Sequence, residues 1–372
     1  MRVENVNIEI LRETASRLDT PSMSKFPKLQ EWVEGTRYPT FNQLTELANT
    51  ANIPFGYFFL DELPERKYPI PHYRTQNNEP FTPSHELLDT LDIVKQRQDW
   101  AKDILLENGA EPLPFAGNFT PNSDPKLAAE TISTILGATH KWAFSKRSWT
   151  NALFFLIKRA EESGIFVVMN GVVGSNTKRS LTTKEFRGFV LYDDIAPFVF
   201  INGKDSIAGK IFTLIHEIAH VLIGESASFD LFRLTASDNN IEQFCDQVAA
   251  EFLVPTFALA ETMNQYHTDD TFELASLFKV SEIVIARRLL DLGYMTKPDY
   301  FDFYEDYIKR VQSSKKAKGG NYYNTAPYKI SRRFFNLINQ AAKQGNVQYT
   351  DAFRLTGLNR RTYDRYIKEE GL

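Results

Sequence analysis

The stretch FTLIHEIAHVLIGE, residues 212–225, places His216 and His220 four positions apart with Glu217 directly after the first. On a helix, residues i and i+4 share a face one turn apart, so both imidazoles can reach a single ion at about 2.0 to 2.1 Å. Glu217 projects about 100° further round, where its carboxylate can act as general base without being a ligand. Zinc at such a site lowers the pKa of a bound water toward about 7, and HExxH is the spacing of zinc-dependent attack on a peptide carbonyl. The chemistry these three residues could do is metal-assisted hydrolysis.

A catalytic zinc needs a third protein ligand and one open position. The extended pattern HExxHxxGxxH would put Gly at 223 and His at 226; the chain has Ile223 and Ser226, which excludes the metzincin arrangement. The next helical stretch, IEQFCDQVAAEFLVP (residues 241–255), offers Glu242, with Asp246 one turn on to accept an imidazole N–H and orient that ring. Glu251, a carboxylate amid VAAEFLV, is the rival ligand, although Pro255 stands where its own supporting acceptor would be. Glu242 is favoured and Glu251 stays open.

Other elements must hold these residues. PSHELLDTLDIVKQRQDWAKDILLENG repeats its apolar residues at helical spacing and stops at Gly109. Residues 125–137 and 147–163 read as two more helices. GIFVVMN and FRGFVLYDDIAPFVFING are short, aromatic and β-branched, bounded by Gly, Asn and Asp, and read as strands. After Asp230 the reading is helical through Leu292. SSKKAKGG (residues 313–320) reads as a flexible basic connection, followed by a last helical unit of about 45 residues.

With 372 residues, 42% of them hydrophobic, the chain can bury a sizeable core, and two or three domains are expected. No run approaches the ~18 apolar residues that span a bilayer, and the N-terminus lacks the apolar core of a secretory signal. The single cysteine, Cys245, cannot form an internal disulfide and reads as a small buried group. A cytoplasmic protein without a membrane partner is expected. The net charge of −4 hides an asymmetry: residues 308–372 hold 14 Lys and Arg against 4 Asp and Glu, so that body and tail should meet different partners.

HEIAH, then IEQFCDQVAAEFLVP, then ELASLFKVSEIVIARRLLDLG, preceded by EFRGFVLYDDIAPFVFIN, resembles the ImmA/IrrE family of metallopeptidase-like proteins over residues 140–295. The resemblance implies a zincin-like fold with a gluzincin-like site: His216, His220 and Glu242 as zinc ligands, Glu217 as base and Asp246 behind a ligand. Asp246 stands where Asn is often found. Members act on or alongside repressors of mobile elements and stress genes. FPKLQEWVEGTRYPTFNQLTELANTANIPFGYFFL resembles a Cro/repressor-like helix-turn-helix, with Leu29, Trp32 and Gly35 around the recognition helix, Pro39 and Thr40 opening the next, and Leu44, Leu47 and Ala48 as core. Such a unit lays a helix in the major groove, and Lys25, Lys28 and Arg37 could supply a basic face. Residues 1–75 hold 9 Lys and Arg against 10 Asp and Glu, so a dimerisation or partner-docking role is the alternative.

Near the C-terminus, YTDAFRLTGLNRRTYDRYIKEEGL sets Gly357 at a turn ahead of Arg360, Arg361 and Arg365. With Lys315, Lys316, Lys318, Arg332 and Arg333, and interleaved Tyr323, Tyr328, Phe334 and Tyr363, this tail suits nucleic acid or an acidic protein. A solvated basic face is the bland alternative. The whole layout resembles antitoxin partners of PIN-like nuclease toxins.

The expected architecture is α+β and mostly helical: a repressor-like unit and linker over 1–75, a zincin-like domain with a short sheet over 76–307, and a basic helical unit over 308–372. The expected function is a zinc peptidase-type regulator acting on a repressor or toxin. The alternative is a double-stranded-DNA-binding antitoxin with little or no proteolysis, and either reading allows an oligomer.

Overall fold

A computed structural model describes residues 2–16, 18, 20–51, 53–62, 83–225, 227–229, 240–313 and 326–370. The chain divides into two compact units, Met1–Tyr68 and Pro69–Leu372. Most of the expected linker, the SSKKAKGG connection beyond Ser313, and Lys315, Lys316, Lys318 and Tyr323 lie outside the described residues.

The first unit is helical: α1 (Ile8–Ser16), α2 (Thr20–Met23), α3 (Leu29–Val33), α4 (Phe41–Ala51) and a 3-10 turn, Phe55–Phe59. Its core joins Ile10, Leu11, Leu29, Trp32, Leu44, Leu47, Ala48 and Phe58. Thr40 and Gln43 cap α4 reciprocally: the Thr40 N–H donates to Gln43 Oε1 (2.9 Å) and the Gln43 N–H to Thr40 Oγ1 (3.3 Å). Leu29 and Trp32, read above as flanking a recognition helix, are buried, and α3 spans only five residues.

The second unit begins with α5 (His85–Glu107), α6 (Pro125–Ile135) and α7 (Trp149–Glu162). Its sheet runs β1 (Phe166–Asn170), β5 (Phe198–Asn202), β4 (Gly188–Leu191), β6 (Ala227–Phe229), with β1 and β5 parallel and the other pairs antiparallel. A separate hairpin pairs β2 (Val172–Val173) with β3 (Asn176–Ser180). Beyond the sheet come α8 (Ile207–Ile223), α9 (Asn240–Leu253), α10 (Thr256–Tyr266), α11 (Thr271–Phe278), α12 (Glu282–Asp291) and α13 (Lys297–Ser313). The chain closes with α14 (Arg332–Lys343), α15 (Tyr349–Thr356) and α16 (Arg360–Glu370).

Side chains alternate along a strand with period two, and here both faces are covered. Val167, Met169, Val190, Val199 and Ile201 join the main core with α7, α8 and α9. The intervening residues form an aromatic layer: Phe166 stacks on Phe198 at 4.5 Å and Phe189 on Phe200 at 4.9 Å between centroids. That layer is covered from α14, whose Phe334 meets Phe198 and the α5 residue Trp100 edge-on at 6.0 and 5.6 Å. The described C-terminal helices, within the basic unit expected over 308–372, belong to the second compact unit, where they cover an aromatic sheet face that would lose its burial energy in water.

Two buried polar side chains secure this docking. Arg97 of α5 donates from Nε to Leu355 O (3.0 Å) and from Nη2 to Thr356 O (3.3 Å), the carbonyls at the C-terminal end of α15. Glu161 of α7 accepts from Ser331 Oγ at 2.5 Å and from the Arg333 N–H at 3.4 Å. Burial pushes the Glu161 carboxyl up to about 7, against the opposing Ser331 and Arg333 bonds. A carboxyl whose folded pKa lies above its unfolded value of about 4.3 keeps its proton in the fold after the unfolded chain has lost it, so stability falls as pH rises between those values. The expected loss from pH 5 to pH 8 is about 3 kcal/mol, and Glu161→Gln should abolish most of it, as read from urea midpoints at the two pH values.

Candidate metal centre

The HExxH segment lies within α8, a helix with clear ends. The Ser206 side chain caps its first turn by accepting from the Gly209 N–H (3.0 Å). Gly224 ends it in the left-handed region at φ 89°, where an added Cβ would lie 3.1 Å from Gly117 Cα, so only glycine fits there comfortably. Loop residues Gly117 and Phe119 donate their N–H groups to Val221 O and Leu222 O (3.1 and 2.9 Å), satisfying carbonyls the helix end leaves over.

α9 packs across α8 and brings its own carboxylates to the histidines. His216 Nε2 lies 3.2 Å from Glu242 Oε2 and 3.2 Å from His220 Nε2, and His220 Nε2 lies 3.7 Å from Glu242 Oε1. Two atoms bonded to one tetrahedral zinc at 2.0 to 2.1 Å sit about 3.3 Å apart, so the three donors have the mutual spacing of a ligand set. Among the described residues these three form a group able to hold a metal ion, and all are buried. On the far side of the ring, His216 Nδ1 lies 2.9 Å from Asp246 Oδ1, an arrangement that turns Nε2 toward the shared point.

The electrostatics favour positive charge at that point. Burial opposes charge on His216, but the Asp246 and Glu242 carboxylates outweigh it and push its pKa up to about 10. His220 is shifted down, chiefly by burial. Burial would raise Glu242, yet its contacts with the two histidines bring it well below the usual carboxylate range. Two imidazole nitrogens facing each other at 3.2 Å beside an ionised carboxylate need a proton or a metal ion between them. The donor set, two nitrogens and one oxygen, suits zinc.

Glu217 is fully buried beside this group, and neither carboxylate oxygen makes a hydrogen bond among the described residues. Burial raises its pKa well above the ordinary value. Gly188 on β4 faces it: an added Cβ would lie 3.3 Å from Glu217 Oε1, 2.7 Å from Phe200 O and closer still to Thr213 Cγ2. Sequence reasoning missed Gly188 as the residue that lets the strand lie against the metal helix; the signal was a lone small residue in the bulky run FRGFVLY.

Glu251, the rival ligand, is elsewhere. It pairs with Arg288 of α12 and accepts from the Thr256 N–H (3.1 Å) and Thr256 Oγ1 (2.9 Å), while Arg288 Nε donates to Val254 O (3.0 Å). Its carboxylate joins α9, α10 and α12. Cys245 is buried, with its thiol pushed well up by burial and the neighbouring carboxylates.

The basic candidates fall into two groups. In the first unit Lys25 is exposed, Lys28 is half-buried at the start of α3, and Arg37 Nη1 lies 3.3 Å from Glu31 Oε2. In the second, Arg360, Arg361 and Arg365 lie exposed along α16. The aromatics expected to interleave with them need correction: Tyr328, Phe334 and Tyr363 are buried in the core, because they cover the sheet and the inner faces of the C-terminal helices. Arg332 and Arg333 likewise turn inward, their guanidiniums 5.1 Å from the Tyr328 and Phe166 rings. Among the described residues no helix is long and apolar enough to cross a membrane.

The chain matches none of the curated proteins and none of the solved structures with which it was compared. Residues 330–369, the C-terminal helices, match a family described as a domain of unknown function. Residues 160–290, which carry the sheet, His216, Glu217, His220, Glu242 and Asp246, match the peptidase family described as the IrrE N-terminal-like domain.

Proposed function

We propose that the chain is a zinc-dependent endopeptidase-type regulator, of the ImmA/IrrE kind, acting on a repressor or toxin partner in stress, mobile-element or toxin–antitoxin control. The observation that carries this reading is the convergence of His216, His220 and Glu242 with Glu217 buried beside them. Zinc held by these three residues supplies a Lewis acid and a water activated near neutral pH. The chain's own groups supply the rest. Asp246 lies against the His216 ring, and Glu217, buried beside the three donors, is placed to take a proton and pass it to the leaving amine. The test is regulation in the cell by the Glu217→Gln variant: it should fail to act on its partner, and a variant that regulates normally, or a purified protein without zinc, would sink the reading.

A second reading is favoured by the basic tail and the exposed Arg360, Arg361 and Arg365. Here the chain is a double-stranded-DNA-binding antitoxin or transcriptional regulator that uses the peptidase fold to hold a PIN-like nuclease toxin, with Lys25, Lys28 and Arg37 of the first unit as further phosphate contacts. An adjacent gene for such a toxin supports it, and an adjacent repressor gene supports the first.

A further inference from the structure

The C-terminal helix pair shares its surface with a second element. Gly357 closes α15 in the left-handed region at φ 69°, and the chain turns directly into α16, where Asn359 Oδ1 accepts from the Thr362 N–H at 2.9 Å. The Gly357 carbonyl accepts from Ser175 Oγ at 3.2 Å, and Ser175 sits at the tip of the β2–β3 hairpin, 182 residues away in sequence. The hairpin tip thereby touches the turn between the two helices.

Charge is sorted on both elements. Along α16, Tyr363 and Tyr366 are buried while Arg361, Arg365 and Lys368 fall on one exposed stripe. Asp364 on α16 lies 3.9 Å from Arg360. On the hairpin, residues 175–178 are exposed, and Arg179 turns back to Glu86 and Asp89 at 3.2 and 2.8 Å. Lys178 makes no ion pair among the described residues and faces solvent. Both elements are anchored: Arg97 grips the end of α15 and Arg179 the hairpin. Such a surface binds without first paying to order itself.

We propose that α16 and the β2–β3 hairpin form one composite surface for double-stranded DNA, α16 entering the major groove and Lys178 on the hairpin contacting the adjoining backbone. A major groove admits a helix or a two-stranded ribbon, and phosphate contacts from an adjacent element fix the register of a reading helix. The proposal rests on the DNA-binding reading above and specifies where and how that binding occurs.

The test uses the full-length protein and a labelled mixed-sequence duplex of about 30 base pairs, followed by fluorescence anisotropy from about 50 to 200 mM salt. Four phosphate contacts predict roughly a hundredfold loss of affinity over that range. Lys178→Glu and Arg361→Glu should each weaken binding about tenfold at low salt and shallow the salt slope by about 1, with zinc content unchanged as evidence of an intact fold. Wild-type affinity in Lys178→Glu would remove the hairpin from the surface and overturn the proposal. Affinity lost in Lys28→Glu but retained in both other variants would overturn it while leaving the DNA-binding reading standing. No binding by the wild type would overturn both, and a preference for single-stranded RNA of equal length would overturn the assignment to duplex DNA.

Discussion

Glu217→Gln is expected to lower peptide-bond cleavage by about a hundredfold to ten-thousandfold while leaving about one zinc per chain in place. On the proposed reading the carboxylate lies beside the donor group without belonging to it, so its loss should remove proton transfer and spare the metal-binding side chains. Glu242→Gln should abolish cleavage by a different route, emptying the site, because an amide oxygen lacks the charge that would balance a cation between two imidazoles. Asp246→Asn should fall between the two, weakening metal affinity by about ten- to a hundredfold through the His216 ring it orients. The decisive contrast is Glu251→Gln. It breaks the buried pair with Arg288 and should cost about 3 kcal/mol of stability, yet retain the zinc. Elemental analysis of the four purified variants with thermal or urea melts separates these outcomes; zinc lost from Glu251→Gln but kept by Glu242→Gln would overturn the ligand assignment.

Arg97→Met is the second large effect. The side chain is only 5% exposed, and although burial lowers its pKa to about 10, it stays charged at neutral pH. It satisfies Leu355 O and Thr356 O and reaches Lys329 O at 3.5 Å, where the α15 dipole is negative. Methionine fills similar apolar space but leaves those carbonyls unpaired, at about 3 to 5 kcal/mol in all. The loss should concentrate on the C-terminal helices: amides in α14 to α16 should exchange through a partial opening while β5 and α8 keep wild-type protection. Unchanged protection in α14 to α16 would show that the aromatic layer alone secures them. Arg97→Lys should recover only part of the loss, since an ammonium lacks the planar fork that reaches several carbonyls at once.

The parts of the fold that depend on nearby residues were legible in the sequence. The helix bearing HExxH shows itself through period and caps, and a spacing of four fixes His216 over His220 and Glu242 over Asp246 before any neighbour is known. The strands β1, β4 and β5 follow from runs of aromatic and β-branched residues. The hairpin was missed because VVGSNTKRS has little apolar alternation to signal it, and its role is set by a contact with Gly357 far along the chain. Packing sets where Glu242 and Glu251 lie: both are acids on one helix, and only the crossing of α8 by α9 sends one to the histidines and the other to Arg288.

The sequence by itself determined which residues could do the chemistry, because ligand type and helical spacing are local properties. Only the tertiary structure decided what the basic tail is. Its charge pattern reads as a solvated or nucleic-acid-facing appendage, but Phe334 and Arg97 make α14 and α15 a wall of the peptidase-like unit. Burying an aromatic sheet face is a long-range demand that no stretch of sequence states alone. That demand turns Tyr328 and Tyr363 inward and leaves Arg361 and Arg365 outside.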